Sequence, residues 1–343
     1  PRHLVKARGA DWAEPAYLVT NGPFTLASGQ PGVSMVLERN RRYHGLVAGN
    51  VDRVELTFFQ EGDRSTAEET YHAGLSDIMD PRVSIAGMKR LRKSHASEWV
   101  TLPSANTGII VFDASRPPFD DARVRRAFAH ALDRERVCNV TWGGFWLPVT
   151  GGYVPPGIPG HAPGIALAYD PERARELLAE AGYPGGAGFP TVEAWRRPQG
   201  DTQTWESWIG RWGKTLNVEL TIRWGRRSAE YGDRIDSAPS HIDFAGWIVD
   251  YPDPDNYLRV ALQEFSAWRH EGYLELIERA RRSLDQAERM KLYAQAEQIL
   301  AEEAPILPVD YDRKHFLIKP CIRRYPRAAN GRLFWKDVVI EEH

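Results

Sequence analysis

Pro117-Pro118-Phe119-Asp120-Asp121-Ala122-Arg123-Val124-Arg125-Arg126-Ala127 is the stretch that organises the chain. Two successive prolines forbid a regular helix and a sheet ladder alike, so the element before them must end there. Asp120 or Asp121 can accept from the free N–H groups of a new helix. Val124, Phe128, Ala131 and Leu132 then recur at the spacing of one helix face. Immediately upstream, Thr107 to Phe112 is an apolar run that reads as a buried strand. Strand, proline break and helix in this order indicate an α/β protein, with a lobe boundary at the proline pair.

Downstream, Gly143 to Gly164 is dense in Gly and Pro and reads as a long loop, of the kind that forms binding elements. Asp170 and Pro171 start a helix carrying Ala174, Leu177, Leu178 and Ala181 on one face, and Gly182 stops it. Trp205, Trp208 and Trp212 fall on one helical stripe and are expected in the core. Strands follow over Val218–Ile222 and Phe244–Val249. A last long helix from Asp285 to Glu303 carries Tyr293, Ala296 and Leu300, and Pro305 prevents its continuation. Upstream, short strands cover Phe24–Leu26 and Met35–Leu37, and Val51–Phe59 alternates apolar and polar positions. A capping box at Ser65 and Glu68 opens a helix that ends near Gly74, and Asp77-Ile78-Met79 reads as the next strand of an α/β layer.

The bulk numbers exclude several classes. Of 343 residues, 42% are apolar and 26% charged, which is ordinary for a globular chain. The net charge is -2, and the basic clusters Arg39, Arg41, Arg42 and Arg90, Arg92, Lys93 read as solvated faces, so no nucleic-acid groove is expected. No apolar run is long enough to span a membrane, and no export signal is visible at Pro1-Arg2-His3-Leu4. Cys138 and Cys321 read as buried free thiols, with one long-range disulfide as the alternative. The histidines show no ligand spacing, and Asp253 and Asp255 lack the glycine and distal glutamate of a calcium loop, so neither a metal nor a cofactor is expected. There is no G-x-S-x-G, P-loop or G-x-G-x-x-G, and the chain is not read as an enzyme.

Three separated stretches resemble bacterial extracellular solute-binding proteins of family 5. The first is Asn21-Gly22-Pro23-Phe24 with Leu37-Glu38-Arg39-Asn40, Tyr43 and Tyr71 to Ile78; His44 stands where the family usually has tryptophan. The second is the Pro117–Ala127 stretch continuing through Ala131-Leu132-Asp133-Arg134-Glu135, together with Tyr169 to Ala174 and Leu177 to Tyr183. The third is Gly246-Trp247-Ile248-Val249-Asp250-Tyr251-Pro252-Asp253-Pro254-Asp255-Asn256-Tyr257. The resemblance implies an α/β, two-lobed fold of the type II periplasmic binding protein kind. Lobe I would be incomplete, because family members carry a further opening third. The lobes are expected at 1–113, 114–312 and 313–343. It also implies a monomeric component of an ABC importer, periplasmic or extracellular and open to lipoprotein anchoring. Such a component binds a peptide or similar small solute in its cleft and docks on a membrane permease. The alternatives are the cytoplasmic ligand-sensing domain of a transcription regulator, or an oligosaccharide binder.

For the site, Asp250 ends an apolar strand before two turn prolines, at a sheet edge where α/β ligand sites form. The alternative is a carboxylate that caps the following turn. In the peptide-binding branch the resemblance gives the Asp at this place the ligand's α-amino group. Trp247, Tyr251, Trp146 and Phe145 are candidates for an aromatic lining. Arg197, in Arg196-Arg197-Pro198, is a candidate to receive a ligand carboxylate.

Overall fold

The computed structural model describes residues 1–59, 64–81, 83–196, 202–225, 240–328 and 331–341. The chain forms two compact units, Pro1–Thr101 with His315–His343, and Leu102–Lys314. Both changes of unit, at Thr101/Leu102 and Lys314/His315, fall inside strands, β5 (Trp99–Phe112) and β10 (Ile306–Ile318). The sequence reading instead places boundaries at 113/114 and 312/313, near the prolines. A continuous strand changes unit without any change in composition.

In the first unit, β1 (Phe24–Gln30), β2 (Ser34–Arg39) and β3 (Arg53–Thr57) form an antiparallel sheet of their own. The expectation that the strand before Gly74 belongs to the same layer as Ile78-Met79 is therefore corrected. β3 pairs with β2 (Leu37↔Val54), whereas β4 (Ile78–Met79) pairs with the end of β10 (Met79↔Leu317). Helices α1 (Arg2–Arg8), α2 (Arg64–His72) and α3 (Ile85–Ser94) and an antiparallel strand pair, Ile322–Arg324 with Val339–Ile340, also belong to the unit. Its small core joins Tyr71, Met79, Leu91 and Leu317.

The second unit is built on a sheet in the order β10-β5-β9-β7-β8, where β7 is Val192–Arg196, β8 Leu220–Trp224 and β9 Ile242–Ile248; the short β6 (Leu147–Pro148) pairs with β10. β5 and β9 run antiparallel, with Asn106 opposite Ile248 and Phe112 opposite Ile242. Alternation then divides the side chains. Ile109 and Val111 point into a core shared with Tyr257, Ile277, Tyr293 and Leu300. Phe112 points the other way, stacking on Phe119 at 4.7 Å and meeting Phe128 and Trp212.

Three helices of this unit begin where the sequence reading starts them. Asp121 accepts from the Arg123 N–H ahead of α4 (Ala122–His130), Asp170 from Glu172 and Arg173 ahead of α5 (Pro171–Glu180), and Asp285 from Ala287 and Glu288 ahead of a long helix, Gln286–Glu303. Each such cap is worth about 1 kcal/mol. Of the three tryptophans expected in the core, Trp208 and Trp212 are buried on α6 (Thr202–Leu216), whereas Trp205 is half-buried.

The specific Pro117–Ala127 stretch is a structural clamp. Arg125 is buried; its Nε donates to Glu303 O (2.8 Å) and its Nη1 to Phe119 O (2.8 Å) and Asp120 O (3.2 Å), while its Nη2 meets Glu303 Oε2 at 3.2 Å. It thereby joins the turn after the prolines to the end of the long helix. Among the described residues no helix is long and apolar enough to cross a membrane. Cys138 is a buried free thiol, and Cys321 is free and half-buried.

Candidate functional site

The site is assembled at the end of β9, where the chain leaves the sheet after Ile248. Asn256, fully buried, organises it. Its Oδ1 accepts from Trp247 Nε1 (2.7 Å) and from the Asp250 backbone N–H (3.0 Å), and its Nδ2 donates to Asp250 Oδ2 (3.3 Å). One amide therefore fixes both the indole and the carboxylate. Asp250 itself is exposed. The turn is capped by Asp253, whose Oδ1 accepts from the Asp255 N–H at 2.9 Å. What remains is a positioned carboxylate open to solvent.

The acidic stretch behind Asp250 is held by guanidinium groups. Asp253 takes Arg289 in a two-pronged pair, both contacts at 2.7 Å. Asp255 binds Arg259 through both oxygens and accepts from Tyr251 Oη (2.8 Å) and Tyr293 Oη (3.4 Å). Burial opposes the charge on Asp255, but the hydrogen bonds from Arg259 and Tyr251 outweigh it and hold its carboxyl below the usual range. Paired in this way, the two carboxylates serve as supports for the strand end. Among the described residues no group of three or more His, Cys, Asp and Glu could hold a metal ion.

The other candidates are placed as follows. Trp247 is half-buried against the core, its ring perpendicular to that of Phe265 at 5.8 Å. Tyr251 is exposed, with its hydroxyl committed to Asp255. Phe145 is 0% exposed, which removes it from any open lining. Trp146 is half-buried, edge-on to Trp142 at 5.7 Å, and no contact joins it to the Asp250 group. Arg197 lies outside the described residues. The Gly/Pro-rich stretch is also less open than expected. Tyr153, Val154 and Ile158 are buried, and the Val154 N–H donates to Glu297 Oε1 at 2.7 Å. The sequence reading assigns no site role to Asn256, Arg259 or Arg289. The available signal was Asn256 in a polar run directly before an apolar segment, where an amide side chain satisfies free backbone groups.

The description "Bacterial extracellular solute-binding proteins, family 5 Middle" matches residues 1–267. The chain belongs to family 5 of the bacterial extracellular solute-binding proteins. This family 5 chain is 26% identical to the periplasmic oligopeptide-binding protein OppA of Salmonella typhimurium over its whole length, covering 64% of that protein. It is 25% identical to the probable deoxycholate-binding periplasmic protein YgiS of Escherichia coli, covering 65% of it. It thus spans less than two thirds of either relative, and both are named as binding proteins. Its fold matches the crystal structure of a periplasmic oligopeptide-binding protein, OppAIV of Borrelia burgdorferi, with a TM-score of 0.79 at 22% identity, over 98% of this chain and 68% of that one. The α/β architecture implied by the motifs is therefore the fold of periplasmic oligopeptide-binding proteins, of which this chain spans about two thirds.

Proposed function

We propose that this family 5 chain is the solute-binding part of an ABC import system, acting in the periplasm with a membrane permease, and that its solute is a peptide held by its α-amino group on Asp250. The carboxylate of Asp250 carries the reading: it is exposed, oriented by the buried Asn256, and distinct from the neighbouring carboxylates that arginines neutralise. An ammonium group can take the remaining lone pairs in a charge-assisted bond. The names of the relatives support a peptide, with a bile acid as the second candidate because of the deoxycholate-binding relative. No chemical step is assigned to the site.

Calorimetry with di- to pentapeptides, their N-acetylated forms and deoxycholate tests this. Free-amino peptides are expected to bind, and acetylation or Asp250→Asn to weaken them by roughly tenfold or more, as loss of a bond to a charged group costs about 1.5–3 kcal/mol. Flat titrations with every peptide on a folded sample sink the peptide reading. Heat from deoxycholate that is indifferent to Asp250→Asn supports the bile-acid one.

A further inference from the structure

A second polar group lies on the other face of the same sheet, entirely within the unit Leu102–Lys314. The even-numbered positions of three neighbouring strands share this face: Asn106 and Gly108 on β5, Phe244, Gly246 and Ile248 on β9, and Asp310 and Asp312 on β10. Their contacts fix the arrangement. Asn106 Nδ2 donates to Asp312 Oδ2 at 3.3 Å, and Phe244 meets Trp205 and Trp208 at 5.2 and 5.7 Å. A Cβ on Gly108 would fall 2.3 Å from Asp310 Oδ1, so the Asp310 carboxyl lies flat over that glycine.

The polar atoms here are unequally partnered. Asp312 is paired with Lys314 at 2.7 Å. Asp310, 8% exposed, makes no hydrogen bond or ion pair with any described residue. Asn106 Oδ1 is buried and also without a partner. Arg196, from β7, lays its guanidinium over the Trp205 ring at 3.2 Å and favours the Asp310 charge through its field. An acceptor such as Asn106 Oδ1, with no partner among the described residues, is costly in a protein interior unless something completes it, and the nearly buried Asp310 carboxyl stands beside it. Beside them Gly246 and Ile248 are exposed, which leaves an approach.

We propose that Asp310, Asp312 and Asn106 Oδ1 form a subsite for a cationic group of the solute, namely the side chain of a lysine or arginine residue in a bound peptide. The proposal rests on the peptide reading and extends it to side-chain preference. The charge state agrees with this use. Burial pushes the Asp310 carboxyl up to about 7, Asp312 adds to the rise and Arg196 opposes it. Among the described residues, Lys314, held on Asp312, and the buried Cys138 thiol, itself pushed up by burial and faced by Arg134 and Arg313, also neighbour it. A cation binds the ionised carboxylate, so its affinity rises as the pH passes upward through 7.

The test compares Ala-Lys-Ala with Ala-Met-Ala by calorimetry at pH 6 and pH 8, on the chain and on Asp310→Asn, and follows thermal protection by agmatine, a guanidinium amine with no peptide group. At pH 8 the lysine peptide is expected to bind about tenfold or more tighter than the methionine peptide. That preference shrinks at pH 6 and disappears in Asp310→Asn, while Ala-Met-Ala binds both proteins alike. Equal affinities in the wild type, or a preference that survives in Asp310→Asn, overturn the subsite. If no peptide binds, the peptide reading fails and agmatine decides: protection of the wild type but not of Asp310→Asn upholds a cation subsite, and no protection overturns it. Should Asp310→Asn fold poorly, the wild-type comparison of pH 6 with pH 8 decides alone, since a preference that does not grow with pH overturns the assignment.

Discussion

Arg125 shows how a residue type can be legible while its role is not. Its place in Arg123-Val124-Arg125-Arg126 fits a solvated helix face, yet the guanidinium is 2% exposed and holds three carbonyls and one carboxylate. Burial disfavours its charge and lowers its pKa, with Glu303 and Asp121 opposing. Arg125→Met keeps the bulk but strands these acceptors. It is expected to cost about 3 kcal/mol of stability, read as a fall in the urea midpoint with the slope unchanged. Asp250 and Asn256 make the complementary point. Asp250 could be chosen from its place at a strand end, but its orienting amide lies six residues on, and the two meet only because the chain turns back at Pro252 and Pro254.

Among the elements, the caps were the most readable features, because Asp121, Asp170 and Asp285 act within three residues of themselves. Asp170→Ala is expected to remove about 1 kcal/mol and to lower the melting temperature by a few degrees without changing the folded spectrum. Helix α3 escaped notice for a physical reason. Only Met88 and Leu91 anchor it, and its run of Lys89, Arg90, Arg92 and Lys93 drowns their spacing; the cap on Ser84, which accepts from the Gly87 N–H, was the one local clue. The separate sheet β1-β2-β3 was out of reach for another reason. Alternation identifies a strand but not its partner, and pairing is decided by residues distant in sequence.

For the whole molecule, family motifs revealed the fold, while the buried polar chemistry stayed hidden. Glu297 is 1% exposed on the long helix. Gly152 lies so close that a Cβ there would meet the carboxyl at 2.2 Å, and the Val154 N–H donates to it. Burial pushes its carboxyl up to about 8, with the backbone donors opposing. The unfolded chain releases this proton near 4.5 and the folded one near 8. Between those values the folded state holds more protons, so Glu297 makes stability fall as pH rises and then level off above 8. Asp310 acts in the same sense up to about 7. Unfolding free energy measured from pH 5 to 9 is expected to decline, and Glu297→Gln to flatten most of that slope; an unchanged slope would show that Glu297 is ionised throughout.

The chain crossings inside β5 and β10 also bear on synthesis. The ribosome delivers Leu102–Lys314 as one uninterrupted stretch, so that unit can close while the remainder is still being made. Pro1–Thr101 is made before Leu102–Lys314, yet Leu317, which joins Tyr71, Met79 and Leu91 in its core, and His315, whose Nδ1 lies 3.0 Å from Thr101 Oγ1, are made after it. Tyr71, Met79 and Leu91 therefore wait for a strand that follows the whole of the other unit, and the nascent protein carries their apolar surface uncovered until β10 has been synthesised.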